Sequence, residues 1–366
     1  MQLVSAERDA LLKPIQTVSG IVERRHTLPI LSNLLIRKTG AELSFLATDI
    51  EVQISTRAEG GAGEDAATTV AARKLLDILR ALPAGQVSLE LNGKKLNIKS
   101  GRSRFALQTL AADDFPTVAP ATDFKAGFSL TQKALKGLLA LVQYAMAQQD
   151  IRYYLNGLLL IVEKNTLKVV ATDGHRLAFA ALPIDAEVEK QEVIIPRKTV
   201  IELERLLEEN DELIRIDIAS NQVRFQFGNV ELVSKLVEGK FPDYNRVIPS
   251  GYKNGFDISR EELIGCLTRA AILTNEKFKG VRCVVGDGAL KISCTNTDQE
   301  EAHEEAEIDY HGETIDIGFN VTYLLDVLNH LKTGTIRISL GDANSSALIT
   351  GGENAEFKYV VMPMRI

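Results

Sequence analysis

Apolar residues recur at helical spacing in six stretches of this chain and alternate with polar ones through most of the remainder. Leu135, Leu138, Leu139, Val142 and Met146 lie three and four apart, which gathers them on one face of a helix. Comparable helices are predicted after Leu3-Val4-Ser5, running to about Val22, and after Phe256-Asp257-Ile258-Ser259, running to about Leu273. Ser259 followed by Glu262 has the spacing of a capping box for the last of these. Three further amphipathic helices are marked by Leu75, Leu76, Leu79 and Leu82, by Val200, Leu203, Leu206 and Leu207, and by Val321, Leu324, Leu325, Leu328 and Leu331. Between them the period changes to two. Ile214, Ile216 and Ile218 alternate with Arg215 and Asp217, then Val223, Phe225 and Phe227 follow a Ser220-Asn221 turn, as in a sheet with one buried face. Asn92-Gly93 is a matching hairpin signal.

These elements come in the same order three times. Strand pairs end in small polar turns at Asp49, Asp173 and Asp298, aspartates 124 and 125 positions apart. The repeats close at Phe115-Pro116, Phe241-Pro242 and Met362-Pro363, so domains are expected at residues 1–120, 121–250 and 251–366. Each would hold two helices packed on an antiparallel sheet of roughly eight strands, an α+β fold.

Composition narrows the function. The chain has 366 residues, 45% hydrophobic and 25% charged, enough for several cores. The longest apolar run, Leu155 to Val162, is broken by Asn156 and is far shorter than the roughly 20 residues of a membrane-spanning helix. The amino terminus lacks the pattern of a signal peptide, so a cytoplasmic location without membrane contact is expected. Cys266, Cys283 and Cys294 have neither disulfide nor zinc spacing and read as buried small apolar residues, with no metal or cofactor expected. A net charge of −7 argues against adhesive binding to nucleic acid, whose affinity comes mainly from cations displacing counterions.

Five separated motifs then stand in order: Arg152-Tyr153-Tyr154-Leu155-Asn156-Gly157, Ala171-Thr172-Asp173-Gly174-His175-Arg176-Leu177, Glu238-Gly239-Lys240-Phe241-Pro242-Asp243-Tyr244, Asn275-Glu276-Lys277-Phe278-Lys279-Gly280-Val281-Arg282 and Tyr359-Val360-Val361-Met362-Pro363-Met364-Arg365. With them the chain resembles, over essentially its whole length, the bacterial replicative sliding clamp, the beta subunit of DNA polymerase III. The resemblance implies three clamp domains per chain and a head-to-tail homodimer, a six-domain ring with helices lining a hole for duplex DNA. Acidity is then no obstacle, because a topological link needs only a basic inner surface.

The resemblance also assigns residues. Arg24, Arg73, Gln149, Tyr153 and Tyr154 would face DNA without reading its sequence, with Lys198 and Arg205 behind them. For an arbitrary Lys or Arg, and for Arg205 among Glu202, Glu204, Glu208 and Glu209, a solvated helix face is the competing explanation. At the dimer interface, Phe105 and Leu107 would pack on Ile272 and Leu273, while Lys74, Arg102 and Arg104 face Asp298, Glu300 and Glu304. Without the resemblance the glutamate run reads as merely solvated. A pocket for a short partner peptide would be walled by Leu155, Thr172, Gly174, His175, Arg176, Leu177, Pro242, Arg246, Val247, Asn320, Tyr323, Ser346, Val360, Met362, Pro363, Met364 and Arg365. Met362 and Met364 taken alone read equally as core.

An enzyme would have to use Asp173 and His175, yet no nucleophile elbow, phosphate-binding loop or metal-spaced cluster accompanies them. A free-standing peptide-binding adaptor is the stronger rival. The expected function is a non-catalytic clamp that slides on duplex DNA and confers processivity. It would hold the DNA polymerase III catalytic subunit, other polymerases and repair proteins through a short clamp-binding motif, and a separate ATP-driven clamp loader would open it.

Overall fold

The computed structural model describes residues 1–23, 28–61, 64–351 and 356–366. Among these, six helices form where the apolar stripes predict them: α1 (Arg8–Ser19), α2 (Ala72–Ala81), α3 (Gln132–Ala140), α4 (Arg197–Leu206), α5 (Arg260–Ala271) and α6 (Val321–His330). The stripes are the buried faces. α1 buries Leu11, Ile15 and Val18, α2 buries Leu75, Leu76 and Leu79, and α6 buries Val321, Leu324, Val327 and Leu328. Each fully buried leucine contributes about 1.5–3 kcal/mol, which outweighs the weak helix propensity of such short segments. The Ser259 side chain caps α5 by accepting the Glu262 N–H. α3 is shorter than its apolar pattern suggests. It stops at Ala140, and Gln143–Ala145 tightens into a 3-10 turn whose Tyr144 carbonyl accepts Arg176 instead of continuing a helix.

The order strand, helix, strands, helix, three strands recurs in each repeat. In the first and third repeats four separate strands stand between the helices. In the second they are fused into two long ones, Gly157–Thr172 and Arg176–Pro196, whose pairing slips in register on either side of Lys164.

The chain gathers into two compact units. One comprises Met1–Lys133 with Ile201–Leu236, the other Ala134–Val200 with Val237–Ile366. The first holds a single twelve-stranded sheet and the second a six-stranded and a four-stranded sheet, with every registered pair antiparallel. Within each unit one strand pairing joins consecutive repeats. Val52–Glu59 of the first repeat pairs with Val230–Lys235, the last strand of the second, with Val52 opposite Ser234. The beginning of Arg176–Pro196 pairs with Glu356–Val361, the last strand of the third, with Arg176 opposite Val361.

Among the described residues, Glu301–Glu307 and Ser103–Leu110 are two of the strands that keep an open side. Glu301–Glu307 pairs only with Ala289–Thr295 and ends its sheet. Ser103–Leu110 pairs along its length with Lys95–Ser100, but on its other side only Thr109 and Leu110 meet a neighbour. The three cysteines are free and buried, and burial pushes the Cys283 thiol up to about 12, so they behave as apolar packing.

Candidate functional site: a turn, a tail and an arginine

The polar turn after each strand pair is a hydrogen-bonded frame. In the first repeat the Thr48 hydroxyl donates to the Val52 carbonyl and accepts the Ile50 N–H, while Asp49 Oδ1 accepts the N–H groups of Glu51 and Val52. The second repeat reproduces every bond. Thr172 Oγ1 donates to the Arg176 carbonyl at 2.6 Å and accepts Gly174 N–H, and Asp173 Oδ1 accepts from His175 and Arg176. The third differs from expectation. The residue that holds its turn is Asn296, whose Oδ1 accepts the Asp298 and Glu300 N–H groups, so Asn296, not Asp298, corresponds to Asp49 and Asp173. One extra residue lengthens this turn, since Asn296 N–H reaches the Glu300 carbonyl where Asp49 N–H reaches that of Val52.

What sets the second turn apart is Arg176. Its Nε donates to Asp173 Oδ2 at 3.1 Å, one Nη to Asp326 Oδ2 at 2.5 Å and the other to the Tyr144 carbonyl at 2.7 Å. The guanidinium carbon lies 4.5 Å from the centre of the Tyr323 ring. Burial opposes the charge, but the Tyr359 phenol and the carboxylates of Asp326 and Asp173 hold its pKa above the ordinary arginine value. Tyr144 stacks on His330 with ring centres 4.4 Å apart, and its buried hydroxyl finds no hydrogen-bond partner among the described residues. Burial pushes that hydroxyl well above the usual phenol range. Tyr144, Gln148, His175, Arg176, Arg197 and Tyr323 border an open polar cavity of about 350 Å³.

Beside this polar wall lies an apolar floor. Leu155, Leu177 and Val360 are buried in one cluster with Phe179, Ile194 and Phe241. Pro242 and Val247 flank the segment that packs onto it and are exposed, as is Arg246, which pairs with Asp243. The chain's last residues supply the opposite rim. Met362 donates its N–H to the His175 carbonyl, Met364 donates to the Gly318 carbonyl, both at 2.9 Å, and the Met362 side chain is half exposed. Pro363 and Met364 are partly buried and Arg365 is exposed. Asn320 spends its side-chain Oδ1 capping α6, accepting the Thr322 N–H, and the Ser346 carbonyl accepts the Tyr252 hydroxyl.

The structure thus brings the expected pocket residues into one unit as floor, rim and polar wall. Sequence reading missed Tyr144, Asp326 and Arg197, and it placed Arg176 in the pocket wall without the three internal acceptors that hold it. It also missed Asp150, which clamps Arg152 beneath Gly174; hydrogen bonds from Arg152 hold the Asp150 carboxyl at about 2. Gly174 has φ +89°, and a Cβ there would stand 3.0 Å from the Arg152 guanidinium.

Of the expected DNA-facing residues, Arg24 lies outside the described residues. Arg73 is exposed on α2 and donates to the Val22 carbonyl. Gln149 and Tyr153 are exposed in the loop ahead of Gly157–Thr172, and Tyr154 packs edge-on against Tyr153 and onto the apolar floor. Arg205 is held by Glu202 and the Thr17 carbonyl.

Of the expected interface residues, Lys74, Arg102, Phe105, Ile272, Asp298 and Glu300 are exposed, while Leu107 and Leu273 are half-buried. Arg104 is also exposed and donates to the Gly101 and Ser103 carbonyls. Glu304 is engaged within its own chain: Arg269 donates to both of its oxygens, at 2.8 and 2.6 Å, and lowers its pKa.

Comparison with known proteins matches the DNA polymerase III beta subunit in three consecutive parts: the N-terminal domain to residues 1–119, the central domain to 129–243 and the C-terminal domain to 245–365. The chain belongs to this family. The beta sliding clamp of Pseudomonas aeruginosa is 47% identical over 365 residues, covering 98% of this chain and 99% of that protein. That of Escherichia coli strain K12 is 46% identical, covering 99% of each. The crystal structure of the Pseudomonas aeruginosa sliding clamp bound to griselimycin covers 100% of both chains with a TM-score of 0.95 at 46% identity. The family read from the five motifs is therefore borne out, as are its three tandem clamp repeats of helices on antiparallel sheet.

Proposed function

We propose that two copies of this sliding clamp close head to tail into a ring around duplex DNA, and that the pocket beside Arg176 holds polymerases and repair proteins by a short peptide. The chain is a DNA sliding clamp for polymerase processivity. The observation that carries the ring is the repeated junction. Twice, the strand that follows the polar turn pairs with the last strand of the next repeat. The third repeat has such a strand, Glu301–Glu307, whose outer side meets no other strand among the described residues. The matching last strand with an open side is Ser103–Leu110 of the first repeat, and a second copy supplies it. A contact between unlike surfaces gives a ring when its rotation closes and an open filament when it does not, and we take the closed case here.

The same rule sets the register. Val52, which ends the first turn, faces Ser234, one position before the residue opposite Gln222 in its hairpin. The equivalent of Ser234 in the first repeat is Leu107, one before the residue opposite Lys95. Glu300 ends the third turn and so faces the partner's Leu107, which sets Ala302 against the partner's Phe105 and Glu305 against the partner's Arg102. Phe105 then lies on the face shared with exposed Ile272, and Arg102 and Arg104 meet the acidic strand. Main-chain bonds supply strength and the charges supply register.

No catalytic centre enters this reading. Asp173 commits both carboxylate oxygens to its own turn and to Arg176. Holding a partner on a topologically linked ring makes its rebinding intramolecular, which multiplies residence without any contact to sequence.

The test loads a variant with Phe105→Cys and Ala302→Cys onto a nicked circular duplex, using a clamp loader and ATP, and then oxidises it. Ring closure in this register gives protein that withstands detergent on the circle and is lost once the circle is cut. Loading without cross-linking would refute the register. Equal retention on circle and line would mean ordinary binding, and failure to load with a proven loader would favour the adaptor.

A further inference from the structure

The strand Ile315–Asn320 carries a glycine at 318 whose bare backbone is covered by the chain's own tail. A Cβ at Gly318 would lie 2.4 Å from the Met364 carbonyl oxygen and 2.7 Å from the Ile366 side chain. A Cβ at Gly280, on the paired strand and diagonal to Gly318, would touch Ile366 at 3.4 Å and the Met364 methyl at 3.6 Å. The two glycines therefore form a notch with no side chains of its own, into which the tail descends. The tail is tied there by the Met364 N–H to Gly318 carbonyl bond and, two residues earlier, by Met362 N–H to the His175 carbonyl. Between these ties lie Met362 and Pro363, with the Met362 side chain standing half exposed at the rim of the pocket.

We infer that Gly318 is a positioning residue for partner binding: by admitting the tail backbone to van der Waals distance of the sheet, it sets where Met362 stands on the rim. This rests on the reading of the pocket as a peptide site. The clash at Gly318 is with a backbone oxygen. A methyl group there cannot be accommodated by turning a side chain and must lift the tail, whereas a methyl group at Gly280 meets only the flexible ends of Ile366 and Met364. Neither glycine has positive φ, so close approach rather than backbone conformation is the requirement.

The experiment compares wild type, Gly318→Ala and Gly280→Ala. It measures anisotropy of a fluorescent peptide carrying the clamp-binding segment of the polymerase III catalytic subunit, and NMR of methyl-labelled methionine, of which the chain has four. Gly318→Ala should weaken the peptide roughly ten-fold, the loss of about one good apolar contact. It should also move the Met362 and Met364 methyl signals while leaving that of buried Met146, and the dimer mass, unchanged. Gly280→Ala should weaken it by no more than about two-fold. Undiminished affinity in Gly318→Ala, or a shift of Met146 equal to that of Met362, would overturn the inference. Failure of the wild type to bind the peptide would instead remove the reading on which it rests.

Discussion

The turns at Thr48–Val52 and Thr172–Arg176 share one frame of hydrogen bonds and differ in three side chains, of which Glu51 and His175 are both exposed. Where the first has Ile50 at φ +81°, the second has Gly174 at +89°; where the first has buried Val52, the second has Arg176. The frame is thus a property of the repeat, and it reverses the strand with either set of residues at those places. The exchange of valine for arginine turns a plain corner into the hub of Asp173, Asp326, Tyr144 and Tyr323, and the glycine leaves room for Arg152 below it.

Swapping the residues tests that statement. Arg176→Val installs the first repeat's side chain and leaves Asp326 and the Tyr144 carbonyl without their donor. Urea denaturation should show a loss of about 3 kcal/mol, as for removal of one partner of a largely buried ion pair, and partner peptide binding should fall with it. If the stability of Arg176→Val equals wild type, the hub contributes nothing and the two turns are equivalent after all. Next in size are the reciprocal changes at the left-handed position. Gly174→Ala should cost about 1 kcal/mol, whereas Ile50→Gly should gain about 0.5 kcal/mol, because relief of the left-handed penalty exceeds the added freedom of the unfolded chain. Equal signs at the two sites would break the parallel.

The smallest effect is electrostatic. The Asp150 carboxyl is held at about 2 by Arg152, below its ordinary 3.8, so the clamp beneath Gly174 is fully formed above the ordinary value and is lost as pH falls through about 2. In Arg152→Ala the Asp150 carbon resonance should titrate higher, toward 3.8 but short of it, because the backbone N–H of residue 152 still donates to the carboxylate. A titration that stays near 2 would mean that backbone bonds alone hold the loop.

Local patterns made the repeats legible. Six apolar stripes marked six helices, and period-two alternation marked the sheets, because both signals lie within a few consecutive residues. The pairings that join repeats left no such mark, since Val52 and Ser234 are brought together by topology and not by spacing. The hub was hidden for the same reason. Asp326 on the polar side of α6 reads as a solvated carboxylate until the fold sets it against Arg176, and Tyr144 reads as one more residue of a helix that in fact ends four positions earlier. The third turn misled by composition: Asp298 matched its counterparts in type and spacing, while an inserted residue had passed the turn's role to Asn296.

The discontinuity of the first compact unit bears on the order in which the chain acquires structure. Residues Met1–Lys133 reach a finished sheet only when Ile201–Leu236 arrives, so a ribosome must deliver a further stretch of chain before the edge at Val52–Glu59 is covered. Until then that edge is an unsealed template for pairing with any nascent neighbour. A fragment cut at the boundary the repeats suggest would keep the edge permanently raw. The first repeat is a unit of sequence, but its sheet is completed only by the second.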